Sequence, residues 1–174
     1  MGTRLNGQSA SCRPCAHTRR PSQRSRKTAP NRSSALRQSE TIVKTKPHSG
    51  LVGTLTFKVE TQHLIDFAGG DMPAVLSTPW LIKWLEQTAR ETLRPLLDDG
   101  EASVGAEIDL RHLAPTPLGS NVTCTTRVIS SEGSTVTFQI EAADEQELVA
   151  RGVHKRAVIS KARFFQRVAR KQAK

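Results

Sequence analysis

The chain has 174 residues, enough for one domain with a sizeable core and too few for two large ones. Its formal charge of +10 is unevenly placed: residues 1–50 carry 11 Lys and Arg against the single acid Glu40, while residues 51–174 carry 15 basic and 15 acidic residues. The remainder of the chain is thus neutral, and with neither an aromatic stacking motif nor a zinc-finger spacing beside the basic leader, nucleic acid is not an expected partner.

Residues 1–47 are rich in Arg, Ser, Pro and Thr and nearly free of periodic apolar residues, a composition that cannot bury enough surface to fold. A disordered basic leader is expected there. An Arg- and Ser-rich, acid-poor segment is also how an organelle transit peptide looks, and a start codon placed too far upstream would give the same composition. The expected compartment is the cytoplasm, or an organelle matrix if the leader is a transit peptide. Cys12 and Cys15 have zinc-knuckle spacing with His17 near by, but a second half-site is missing, so no metal site is expected. No apolar run approaches the length of a membrane span, and no membrane partner is expected.

Residues 48–174 read as one domain. Leu51 to Val59 alternates as a first strand, and a short helical turn is expected at His63–Phe67 before Gly69 and Gly70 break it. Ser77 to Asp98 then reads as one helix. Thr78 suits the N-cap, Pro79 the first helical position, and Pro95 should loosen the last turn. Lys83, Gln87, Arg90 and Arg94 form its wet stripe, and Leu81, Trp84, Leu85, Thr88, Ala89 and Leu96 its core face. Beside that face runs a seam of Ile82, Glu86, Ala89 and Leu93. From the helix alone, Glu86 is a flanking carboxylate whose stem covers apolar surface while its head reaches water.

Four strands follow, each with a period of two. Val104, Ala106, Ile108 and Leu110 share a face that continues to His112, and turns at Ala114–Gly119, Ser131–Gly133 and Asp144–Glu147 separate the next three strands. Leu148 to Ile159 has small or apolar residues on both faces, as a strand covered on both sides would. Lys161 to Lys171 is a short basic helix whose sticky side, Phe164, Phe165 and Val168, should cap the sheet. The pattern places the domain in the α+β class, an antiparallel sheet with one long helix on its apolar face. Trp80 and Trp84 leave spare apolar surface on that helix, so self-association through the helix or a sheet edge, most simply as a homodimer, is expected.

Few residues could do chemistry: Thr78 at the helix start, Glu86 on the seam, and His112 at the end of a core-facing row. Alone, such a histidine is a satisfied core residue. Together, Ser77-Thr78-Pro79-Trp80 with Glu86 eight residues beyond Thr78, Gly105 to His112 running into Ala114 to Gly119, and Gly152 to Ile159 resemble the fluoroacetyl-CoA thioesterase-like family of hot-dog proteins over about residues 50–168. The resemblance implies a hot-dog fold in which the sheet wraps around a central helix, a homodimer, and hydrolysis of an acyl-CoA thioester. It further implies that Thr78, Glu86 and His112 are catalytic and that Gly105 and Arg156 contact the ligand. No cofactor is implied, since CoA enters as part of the substrate. Met72 stands where the fluoroacetyl-specific enzyme has a pocket-screening phenylalanine, so an ordinary short acyl-CoA is the expected substrate.

The chemistry fits these residue types. Thioester hydrolysis needs an attacking oxygen, a base for its proton, donors for the oxyanion and a cationic grip on the CoA phosphates. An unpaired carboxylate on an apolar seam is desolvated and suits a base or a nucleophile. Thr78 offers a hydroxyl and His112 a proton shuttle. The Gly105 N–H can approach a ligand closely, and Arg156 presents a planar fork for phosphate. Thr78 as a plain cap, Gly105 as a strand bulge and Arg156 as an exposed strand residue are the structural alternatives. A non-catalytic acyl-CoA-binding or sensing module on the same fold is the alternative function.

Overall fold

A computed structural model describes residues 46–65 and 73–173. Most of the expected leader, together with Phe67, Gly69, Gly70 and Met72, lies outside the described residues. Five antiparallel strands, β1 (Val52–Lys58), β2 (Glu101–His112), β3 (Asn121–Glu132), β4 (Thr135–Ala143) and β5 (Leu148–Ser160), form one sheet in the order β1-β3-β4-β5-β2. Tight turns join β3 to β4 and β4 to β5; Gly133, at φ 57°, supplies the left-handed residue of the first.

The long helix α1 (Thr78–Leu93) lies on one face of this sheet, and a 3-10 turn at Arg94–Leu96 ends it where Pro95 removes a backbone donor. Its buried side chains are those that the spacing picks out, Leu81, Trp84, Leu85, Thr88, Ala89 and Leu93, while Leu96 is only partly buried. They meet Val122, Cys124 and Val128 of β3 and Phe138, Ile140 and Ala142 of β4 in one core. Full burial of each leucine is worth about 2 kcal/mol. Burial also pushes the Cys124 thiol up to about 12, which makes it an inert core residue.

Several expectations change. The turn after β1 comes earlier, at Thr61–His63. Ser77, not Thr78, is the N-cap residue, and its side chain makes no capping hydrogen bond; Thr78 is the first helical residue. In β2 the alternation breaks: Gly105 pairs with Arg156 and Glu107 with Lys155, leaving Ala106 as a bulge. Val104 therefore does not share the inward face of Ile108, Leu110 and His112; before the bulge that face belongs to Glu101, Ser103 and Gly105. Trp84 is 3% exposed, stacked on Phe57 at 5.0 Å, and His63 and Lys83 lie against Trp80, so the helix has little spare apolar surface.

Nor is β5 covered on both sides, since Arg151 and Val153 of its outer face are exposed. The basic helix α2 (Lys161–Gln172) buries none of its residues, and Phe165 is 69% exposed, so it does not cap the sheet with its apolar side. Among the described residues, no helix is long and apolar enough to cross a membrane. Among the described residues, both outer strands, β1 and β2, keep one edge without a partner in the sheet.

Candidate active site

Two clusters stand along α1. At its first turn the Thr78 hydroxyl lies 3.0 Å from Nδ1 of His112, the last residue of β2. The other ring nitrogen of His112, Nε2, is buried with no hydrogen-bond partner among the described residues. Burial also lowers the affinity of the ring for a proton, with the nearby Ala114 backbone partly opposing, so His112 is neutral near pH 7. If Thr78 donates to Nδ1, the hydrogen of the imidazole sits on Nε2. That leaves a buried donor ready for an oxygen not supplied by its own surroundings.

The second cluster is a seat for the Glu86 carboxylate, two turns further along. The β2 bulge turns Gly105 toward α1, and any Cβ there would collide with Glu86 Oε1. The missing side chain of Gly105 thus makes room for the carboxylate, which is a different use of glycine from the ligand-facing N–H expected of it. Oε1 lies 3.7 Å from Arg156 Nη1 and 3.6 Å from His154 Nε2, and the Glu86 side chain remains 42% exposed. The seam therefore does not desolvate this carboxylate. It is paired on its inner side and open on the other.

Arg156 holds the seat together. Its guanidinium donates to the Ser103 hydroxyl (Nε, 3.2 Å), the Ser103 carbonyl (Nη2, 3.0 Å) and the Glu86 carbonyl (Nη1, 3.2 Å). It is 4% exposed. Burial pulls its affinity for its proton down, the Glu86 carboxylate pulls it back up, and Arg90 weighs slightly against it; a guanidinium stays charged through shifts of this kind. A fork occupied in this way is not free to grip CoA phosphates. The expectation of an exposed phosphate fork gives way to that of an internal cation which fixes both the backbone and the carboxylate of Glu86.

His154, 1% exposed, belongs to the same cluster and escaped the sequence reading. The signal was present: counting back in twos from Val158 puts Arg156 and His154 on the core face of β5. Of the residues expected in the site, Thr78 meets His112, and Glu86 meets Gly105 and Arg156, but the two groups do not meet. Eight residues of helix separate Thr78 from Glu86, about 12 Å along the axis. Met72 lies outside the described residues.

One antiparallel sheet with a single long helix on its face is the architecture of a hot-dog protein. A hot-dog-like protein from Thermanaerovibrio acidaminovorans superposes with a TM-score of 0.66 at 29% identity, covering 71% of this chain and 91% of that one. A solved structure of the fluoroacetyl-CoA thioesterase FlK matches with a TM-score of 0.69 at 28% identity, covering 73% of this chain and 98% of that one. In sequence, the fluoroacetyl-CoA thioesterase of Streptantibioticus cattleyicolor is 33% identical over 101 residues, 58% of this chain and 73% of the relative. The model of the fluoroacetyl-CoA-specific thioesterase family matches residues 59–162. The chain belongs to that family.

Proposed function

We propose that this protein hydrolyses a short-chain acyl-CoA thioester to the acid and free CoA, with Glu86 as the base. The observation that carries the reading is the Glu86 seat: a carboxylate held from within by Arg156, given room by Gly105, and open to a substrate on its other side. Glu86 takes the proton of an attacking water. Nε2 of His112, steadied by Thr78, is the group placed to hydrogen-bond an oxygen of the reacting thioester.

These roles require the two clusters to serve one reaction, and a homodimer supplies the means. Among the described residues the outer edge of β2 has no partner in the sheet, and Gly105 and His112 lie seven residues apart on it, roughly 23 Å at the rise of a strand. Antiparallel pairing of two β2 edges about a two-fold axis near Ile108 and Asp109 sets His112 of one subunit opposite Gly105 of the other. Each of two sites then takes a threonine and histidine from one subunit and a carboxylate from its partner.

The test is free-thiol release from acyl-CoAs of increasing chain length, fluoroacetyl-CoA included. Short acyl groups should be hydrolysed without preference for the fluorinated one, and Glu86→Gln should lose about 100-fold or more in kcat. Binding of acyl-CoA with no release above the Glu86→Gln background would instead establish a binding or sensing module. A strong preference for fluoroacetyl-CoA over acetyl-CoA would overturn the expected substrate scope.

A further inference from the structure

The basic helix α2 lies outside the site, and its surface is divided in two. Its 12 residues include Lys161, Arg163, Arg167, Arg170 and Lys171 and no acid, and none of them is buried. At about 100° of turn per residue, Phe164, Val168, Phe165, Ala169 and Ala162 fall on one arc, and Lys171, Arg167, Arg163 and Arg170 on the arc opposite. The apolar arc meets solvent: Phe165 is 69% exposed, Phe164 43% and Val168 37%. Lys161 points to the apolar side of the wheel but turns back to the domain, where its Nζ donates to the Asp99 carbonyl at 2.8 Å and its backbone N–H to the Gly100 carbonyl at 2.9 Å. The root of α2 is thus tied to the turn before β2, and its two arcs are presented from a folded base.

Charge decides what suits such a face. The leader does not, since residues 1–50 carry 11 Lys and Arg against one acid and would be repelled. A second copy of α2 brings the same cations. A nucleic-acid backbone would answer the basic arc and leave the apolar one in water. A protein groove that wraps a helix needs room around its root, which β5 and the Asp99–Gly100 turn already take. A layer of anionic lipid answers both arcs at once: the phenylalanines and Val168 enter the boundary of the acyl chains, while the arginines and lysine, long enough to snorkel, stay among the phosphates. We propose that α2 is an interfacial anchor that holds this protein reversibly on anionic membrane surfaces. It lies in the plane of the headgroups and does not cross, since 12 residues of helix reach only about 18 Å against about 30 Å of hydrocarbon. The anchor is independent of the reading of Glu86 as the base.

The test sediments the full chain with vesicles of phosphatidylcholine alone and of equal parts phosphatidylcholine and phosphatidylserine. The chain should bind only the second, and added salt should weaken the binding. Two sets of substitutions separate the arcs. Phe164→Ser with Phe165→Ser keeps every charge and should lower partitioning about tenfold or more. Arg167→Gln, Arg170→Gln and Lys171→Gln together should lower it about 100-fold. Both sets should keep the melting temperature of the wild type, because every side chain replaced is on the surface. Phe165→Trp adds a reporter, whose emission should shift to the blue on the anionic vesicles. Binding undiminished by the serine pair would assign it to the basic leader and overturn the proposal, as would an unshifted tryptophan or no binding to either vesicle. A short RNA bound in preference to the vesicles and lost in the glutamine set would make the partner a nucleic acid instead. A serine pair that alters the oligomeric state and leaves vesicle binding as it was would make the face a contact between copies.

Discussion

Eight residues apart on one helix, Glu86 and Thr78 sit in opposite kinds of surroundings. Around Glu86 the polar groups have partners within the chain: Arg156 reaches Ser103 and the Glu86 backbone, His154 reaches Glu107, and Gly105 gives the carboxylate its space. Around Thr78 the hydroxyl meets His112, but the far nitrogen of that ring is buried without a partner among the described residues. A finished seat and an open pair on the same helix are what a site divided between two copies would leave in each of them. The lesson is that one helix can carry a carboxylate whose inner neighbours are all supplied by its own chain and, two turns away, a histidine whose far nitrogen is not satisfied by the described residues.

The largest break in this comparison should come from Arg156→Ala. Removing the guanidinium takes a donor from the Ser103 hydroxyl and carbonyl and the inner cation from the Glu86 carboxylate, and should cost about 3 kcal/mol of stability in denaturant titration together with a fall in kcat. A variant of wild-type stability with only a raised KM for CoA substrates would restore the phosphate-fork role. Gly105→Ala is a narrower cut. Its methyl group meets the mobile end of Glu86 rather than backbone, so the fold should survive and kcat should drop about tenfold. Unaltered kcat would mean that the carboxylate need not sit where the seat holds it.

Acid should weaken the fold at both clusters. The folded-state affinities of His112 and His154 for a proton are lowered from the ordinary 6.5, mainly by burial, so below that pH the unfolded chain binds protons first. Their contribution is present above pH 6.5 and is lost as the pH falls through and below it, which melting temperatures between pH 8 and pH 5 will show; a flat profile would contradict the burial argument. The smallest effect separates two roles of Thr78. As the first helical residue and not the N-cap, it should leave stability within about 0.5 kcal/mol on Thr78→Ala, where the loss of an N-cap costs about 1 kcal/mol, while activity falls.

How far the sequence could be read depended on whether each signal was local. Periods of two and 3.6 placed five strands and the core face of α1 because burial selects apolar residues one position at a time. The bulge at Ala106 was hidden because small and apolar residues occupy positions 104, 106, 108 and 110, and the alternation looks unbroken from either side of the slip. Ser77 and Thr78 are both good caps, and only the backbone decides between them. Trp84 reads as spare surface in the sequence because its covers, Phe57 and His63, come from elements distant in the chain. In the site, Thr78, Glu86 and His112 were found through a resemblance, with the same route supplying Gly105 and Arg156. What those last two do depends on an arginine turned inward and a glycine turned toward a carboxylate, and no single segment states either fact.

The central claim, that the two clusters act together across a two-fold axis, is tested most directly by mixing two inactive variants. Thr78→Ala and Glu86→Ala subunits, exchanged under conditions where exchange is verified independently, form a mixed dimer with one site that has both residues intact. The account predicts recovery of a fraction of wild-type thiol release, approaching one quarter for random exchange of equal amounts, since half the dimers then carry one of two sites. No recovery, with mixed dimers shown to be present, would mean that the residues act within one chain or do not act together.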